Sequence, residues 1–124
     1  MRLFIAINLT NRNKTLIKNK VKLIKNNVEE KVKWVKMENW HITIKFLGDV
    51  NKNQLSAIKN KIKEIKDFNE FYFQINKLDA FPNISYPKVI YLGVDQGKNK
   101  LIEINEEIEK KLFELNFEKE QRDF

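Results

Sequence analysis

Cysteine is absent from the 124 residues, which excludes disulfides, thiolate metal sites and a thiol nucleophile. Histidine occurs once, as His41, so chemistry that needs two imidazoles cannot be completed from this chain alone. Glycine (three) and proline (two) are scarce, and they mark loops instead of a linker. No apolar run approaches the roughly 18 residues of a membrane span. The opening Met1-Arg2-Leu3-Phe4-Ile5-Ala6-Ile7-Asn8-Leu9 is too short for a secretory core, and no small-residue cleavage site follows it. Without a signal or a cysteine, the expected compartment is the cytoplasm.

Arginine is also rare: Arg2, Arg12 and Arg122 are the only three among 24 basic residues, which stand against 17 acidic ones for a net charge of +7. An excess of this sign suits a polyanion such as RNA. Lys, Asn and Ile are all heavily used, however, and all have AT-rich codons, so codon bias is the better account of the lysine excess. What the chain does have is apolar material. Hydrophobic residues make up 42%, with nine Phe, the opposite of a disordered composition. The length predicts one compact body, a single domain over residues 1–124.

Arg2 to Leu9 alternates, with Leu3, Ile5, Ile7 and Leu9 on one face, as in a half-buried strand. Asn11 or Asn13 can cap a helix running to about Asn26, with Leu16, Ile17, Val21, Leu23, Ile24 and Val28 as its apolar stripe. Val32 to Val35 is a short strand candidate, and His41 to Leu47 a stronger one. Asn51 or Asn53 starts a second helix carrying Leu55, Ile58, Ile62 and Ile65. Phe71 to Ile75 alternates as a strand, Phe81-Pro82-Asn83 and Tyr86-Pro87 mark a loop, and Lys88 to Val94 is apolar enough for a deeply buried strand. After Asp95-Gln96-Gly97, a third helix carries Leu101, Ile104, Ile108, Leu112 and Leu115. The class is α+β, with mostly antiparallel strands and helices on one face.

Chemistry concentrates in Trp40-His41-Ile42-Thr43-Ile44-Lys45-Phe46-Leu47-Gly48-Asp49. If the strand alternates regularly, Ile42, Ile44 and Phe46 face the core, and His41, Thr43 and Lys45 share the accessible face. Imidazole exchanges protons near neutral pH. A Thr hydroxyl about 7 Å further along the same face can donate to a phosphoryl oxygen held beside it. Lys45 adds positive charge, so the triplet suits an anion. A metal is not expected, since there is no second His and no Cys, and Thr is a poor zinc ligand. Trp34 and Trp40 suit packing better than base stacking. The lysine runs Lys20-Lys22-Lys25 and Lys59-Lys61-Lys63-Lys66 suit solvated helix faces, and Phe68, Phe71 and Phe73 suit the core.

Arg2-Leu3-Phe4-Ile5-Ala6-Ile7, the stretch from Trp34 through His41-Ile42-Thr43-Ile44-Lys45-Phe46-Leu47-Gly48, Leu78-Asp79-Ala80-Phe81-Pro82, and Pro87 to Val94 carry a resemblance along the whole chain. The sequence resembles the 2H phosphoesterase superfamily, and within it the LigT-like RNA 2′,3′-cyclic phosphodiesterases, also called the 2′-5′ RNA ligase family. The resemblance implies a two-lobed α+β fold, with two small antiparallel sheets around a cleft and helices on the outer face. It implies two facing His-x-Thr motifs that hydrolyse 2′,3′-cyclic phosphate RNA ends to 2′-phosphates, or run the reverse ligation, without metal or cofactor. Onto this chain it carries His41 and Thr43 as catalytic residues, His41 as the general acid, and Thr43 with Lys45 at the substrate. The implied partners are RNA ends, including tRNA fragments, or small cyclic nucleotides, and the full-length protein is expected to be a monomer with no membrane association.

The second His-x-Thr is not among these residues, and Arg122-Asp123-Phe124 resembles the segment that leads into it. The expectation is therefore an incomplete 2H domain over 1–124, cut just before that motif. Such a chain would be inactive or nearly so by itself and would expose sheet edge. The alternatives are a non-catalytic RNA-end or nucleotide binder, a decayed paralogue, and a site completed by another chain.

Overall fold

The computed structural model describes residues 1–28, 31–65, 68–81, 85, 88–121 and 124. Lys66, Arg122, Asp123 and most of the Pro82–Pro87 loop signals lie outside them. The elements in chain order are β1 (Arg2–Asn8), α1 (Asn11–Asn26), a 3-10 turn (Met37–Asn39), β2 (His41–Asp49), α2 (Lys52–Lys63), β3 (Ile75–Phe81), β4 (Val89–Val94) and α3 (Lys98–Phe113). Among the described residues the fold is α+β, with two small antiparallel sheets, β1–β2 and β3–β4, and three helices. The chain divides into two compact units, Met1–Asp49 and Val50–Phe124. Among the described residues no helix is long and apolar enough to cross a membrane.

In the first unit, β1 pairs antiparallel with β2 from Arg2↔Asp49 to Asn8↔His41. Between them, α1 is capped by Thr10, whose side chain accepts from the Asn13 amide at 3.2 Å. The cap thus comes one residue before the Asn expected there, because a Thr hydroxyl at this position reaches the exposed amides of the first turn. Ile17, Val21, Ile24 and Val28 of its stripe are half-buried, while Leu16 and Leu23 are exposed. Val32 to Val35 is irregular chain, not a strand. Its Val35 carbonyl accepts the Trp40 indole N–H at 3.0 Å instead of joining a ladder.

The second unit holds the most deeply buried side chains. Asn51 caps α2 with a complete capping box: its side chain accepts from the Gln54 amide at 2.8 Å, and the Gln54 side chain accepts from the Asn51 amide at 3.0 Å. Ile58 of α2 and Leu101, Ile108 and Leu112 of α3 are buried, as their helical spacing predicts. Gly97 starts α3 at φ 83°, and a Cβ there would fall on the Tyr72 carbonyl and the Phe73 side chain, so only glycine fits the turn.

Two strand expectations are corrected here. The strand lies at Ile75–Phe81, not Phe71–Ile75, because the hairpin register with β4 runs from Ile75↔Val94 to Phe81↔Val89. Phe68, Phe71 and Phe73 lie outside regular structure and are half-buried. β4 is not deeply buried either: Val89 and Ile90 are about half exposed, since β3 is its one partner strand among the described residues.

Candidate functional site

The approach to β2 is held locally. The Met37–Asn39 turn closes with the Asn39 amide donating to the Lys36 carbonyl at 2.9 Å and the Trp40 amide to the Met37 carbonyl at 3.1 Å. Lys14 of α1 reaches the Glu38 carbonyl at 3.5 Å. Trp40 is half-buried with its indole tied to Val35, and Lys25 sits over the Trp34 ring at 5.1 Å. These contacts support a packing role for both indoles and deliver His41 as the first residue of the strand.

The ladder then decides which side chains share a face, because directly paired residues point to the same side of a sheet. Asn8 pairs with His41, Ile7 with Ile42 and Ala6 with Thr43, but Ile5 pairs with Lys45 and Phe4 with Phe46. Ile44 is thus one extra residue in β2, a bulge, and it reverses the faces of Lys45 and Phe46. A second shift, between Phe46 and Gly48, is accommodated by Gly48 at φ 73°. His41, Thr43 and Phe46 therefore lie on the face of Phe4, Ala6 and Asn8. Lys45 lies with Ile5 and Ile7.

Exposure agrees with this register. His41 and Thr43 are half-buried, Phe46 is 72% exposed, and Lys45 is only 7% exposed. Two expectations are corrected: Lys45 does not share an accessible face with His41 and Thr43, and Phe46 does not point to the core. On the His41 face the Phe4 ring stacks on the imidazole, with centroids 4.7 Å apart and planes at 23°, and Phe46 flanks Phe4 at 6.1 Å and 48°. Alternation assigned Phe4 no role and put Phe46 in the core, and the one cue to the contrary was the glycine at 48, which hints at an irregular strand end.

This face can do two things to a bound anion. The imidazole can give or take a proton, and the Thr43 hydroxyl can donate a hydrogen bond to an oxygen about one strand repeat away. Other polar groups fit that task less well. Around the end of α2, Glu64, Glu103, Glu106 and Glu107 line one recess with Lys111, a set that repels phosphate. Across the second sheet Tyr91 faces Asp79, and burial, then the Asp79 charge, pushes its phenol up, which keeps it neutral. Among the described residues no group of three or more His, Asp or Glu side chains could hold a metal ion.

A family model described as LigT like phosphoesterase matches residues 15–91, which include His41 and Thr43. The RNA 2′,3′-cyclic phosphodiesterase of Methanocaldococcus jannaschii is 36% identical over 122 residues, covering 98% of this chain and 65% of the relative. The protein of that name from Archaeoglobus fulgidus is 33% identical over 123 residues, covering 98% of this chain and 66% of the relative. The one from Aquifex aeolicus is 35% identical over 88 residues, covering 68% of this chain and 47% of the relative. The chain thus spans about half to two thirds of the length of these curated relatives.

Proposed function

The chain belongs to the LigT-like phosphoesterase family, and on that premise we propose that it acts on RNA ends carrying a 2′,3′-cyclic phosphate, opening the ring to a 2′-phosphate. The observation that carries this reading is the pairing of a half-exposed imidazole with a Thr hydroxyl on one face of β2, His41 and Thr43. The names of the relatives support the substrate class. In the proposed step a water oxygen bonds to phosphorus and the bond from phosphorus to O3′ breaks. His41 gives its proton to the departing O3′, and a second group takes the proton lost by the water. Thr43 donates a hydrogen bond to a non-bridging oxygen as charge develops there. Lys45, on the other face, makes no direct contact with the phosphate in this arrangement.

The chain holds one histidine, so the second proton-transfer group of a two-imidazole mechanism lies outside residues 1–124, which we read as part of one such domain. The net charge of +7 draws RNA toward the protein without choosing its sequence. The compartment on this reading is the cytoplasm, in keeping with a chain that has no cysteine.

The test is end mapping. The purified chain is incubated with an RNA oligonucleotide ending in a 2′,3′-cyclic phosphate, with imidazole in the buffer as an external proton acceptor. The expected product is a 2′-phosphate, formed faster than in buffer alone, and His41→Ala lowers the rate by about 10²-fold or to background. A 3′-phosphate product, or equal rates for the wild type and His41→Ala, would sink the reading. Phosphate binding that weakens with salt while His41→Ala changes nothing would favour the non-catalytic binder.

A further inference from the structure

Phe4 is an unusual residue for a core strand: it is 44% exposed, while its neighbours Leu3 and Ile5 are half-buried on the other face. What it touches is the imidazole of His41, at 4.7 Å between ring centroids and nearly parallel. The register makes this contact notable. His41 is opposite Asn8 and Phe4 is opposite Phe46. Along a regular strand the backbone positions of residues 4 and 8 are about 13 Å apart. The residue between them on that face of β1 is Ala6, a small side chain that leaves room between the two rings. On the far side Phe46, brought to this face by the Ile44 bulge, borders Phe4 at 6.1 Å.

A histidine ring turns about its last torsion in a broad, shallow well. An imidazole that must aim an N–H at one oxygen needs something to fix its plane, and a ring stacked on it does that without using either nitrogen. We propose that Phe4 is a positioning residue for His41, fixing the plane of the imidazole at the phosphate site, with Ala6 as the gap that lets the rings meet. What the positioned imidazole then does rests on the function proposed above. The stack does not.

The single histidine makes the stack directly visible, because the carbon-bound imidazole protons form one assignable set in the NMR spectrum of the 124-residue chain. In the wild type these protons are shifted upfield by the Phe4 ring current. Phe4→Tyr keeps the shift, and Phe4→Leu, which keeps apolar bulk but removes the ring, loses it. Ala6→Val, which leaves Phe4 in place and fills the gap, loses it too and covers the case in which Phe4→Leu does not fold. In the end-mapping assay Phe4→Leu lowers kcat by as much as about 10²-fold, the scale of a misplaced catalytic group, with KM little changed, and Phe4→Tyr restores it. Imidazole shifts identical in the wild type, Phe4→Leu and Ala6→Val would overturn the stack. An unchanged kcat in Phe4→Leu would overturn the positioning role. A wild type that shows the shift but no turnover counts against the cyclic-phosphate reading, while the shift still upholds the positioning of the ring.

Discussion

Ile44 is the extra residue of β2, inserted between the Thr43–Ala6 and Lys45–Ile5 pairs, and it is itself buried at 5% exposure. Its consequence is local and sharp: Lys45 turns inward and Phe46 outward. Lys45→Met tests this directly. The substitution keeps the length of the side chain and removes the charge from the buried face. The expected outcome is a folded protein with unchanged affinity for 2′-AMP, measured by calorimetry. A loss of affinity would place Lys45 at the phosphate after all. His41 and Thr43 were legible in the sequence because two-residue spacing puts them on one face before any irregularity intervenes. Lys45 and Phe46 were not, because one inserted residue reverses the faces and leaves no mark in the pattern of apolar residues. Phe4 lies off the apolar face formed by Leu3, Ile5, Ile7 and Leu9, and its contact with His41 is one that only the register creates.

At the level of elements, α2 and α3 are joined by charge as well as by apolar packing. Lys61 lies 2.7 Å from Glu114 and 3.7 Å from Glu64, and Lys111 lies 3.4 Å from Glu64. The hydrogen bond from Lys61 holds the Glu114 carboxyl below its usual 4.5, and the same bond raises Lys61 above its usual 10.5. Glu114 therefore contributes stability that is present above the ordinary carboxylate value and is lost as pH falls through its lowered one. Lys61 contributes stability that is present below the ordinary lysine value and is lost as pH rises through its raised one. The groups are solvated, so the effect is small and salt weakens it. Thermal unfolding of the wild type and Glu114→Gln is expected to differ slightly near neutral pH and to converge in acid, and a constant gap at all pH values would contradict the assignment. The helices were readable because Ile58, Leu101, Ile108 and Leu112 recur at helical spacing and Asn51 with Gln54 spells out a cap. The position of β3 was not, because Phe71–Ile75 alternates more cleanly than Ile75–Phe81 does, and only pairing with β4 selects the second.

For the whole molecule, two facts about charge and number set the frame: a net charge of +7 and a single imidazole. The first attracts polyanions without choosing among them, and the second limits the chain to one imidazole for proton transfer. The family was legible from the residues around His41 together with Arg2 to Ile7, and the α+β class followed from the alternation of strand and helix periods. The division into Met1–Asp49 and Val50–Phe124 left no compositional boundary, since the sequence around residues 49 and 50 is not Gly- or Pro-rich. The claim that joins these scales is that the phosphate of an RNA end docks on the His41 and Thr43 face of β2 and not on the Lys45 face. The most direct measurement is an NMR titration of the chain with 2′-AMP, following His41, Thr43 and Lys45 together. The expected result is a saturable shift of His41 and Thr43 that weakens in Thr43→Val, with Lys45 unmoved. A titration that moves Lys45 and leaves His41 still, or one that Thr43→Val does not weaken, would contradict it.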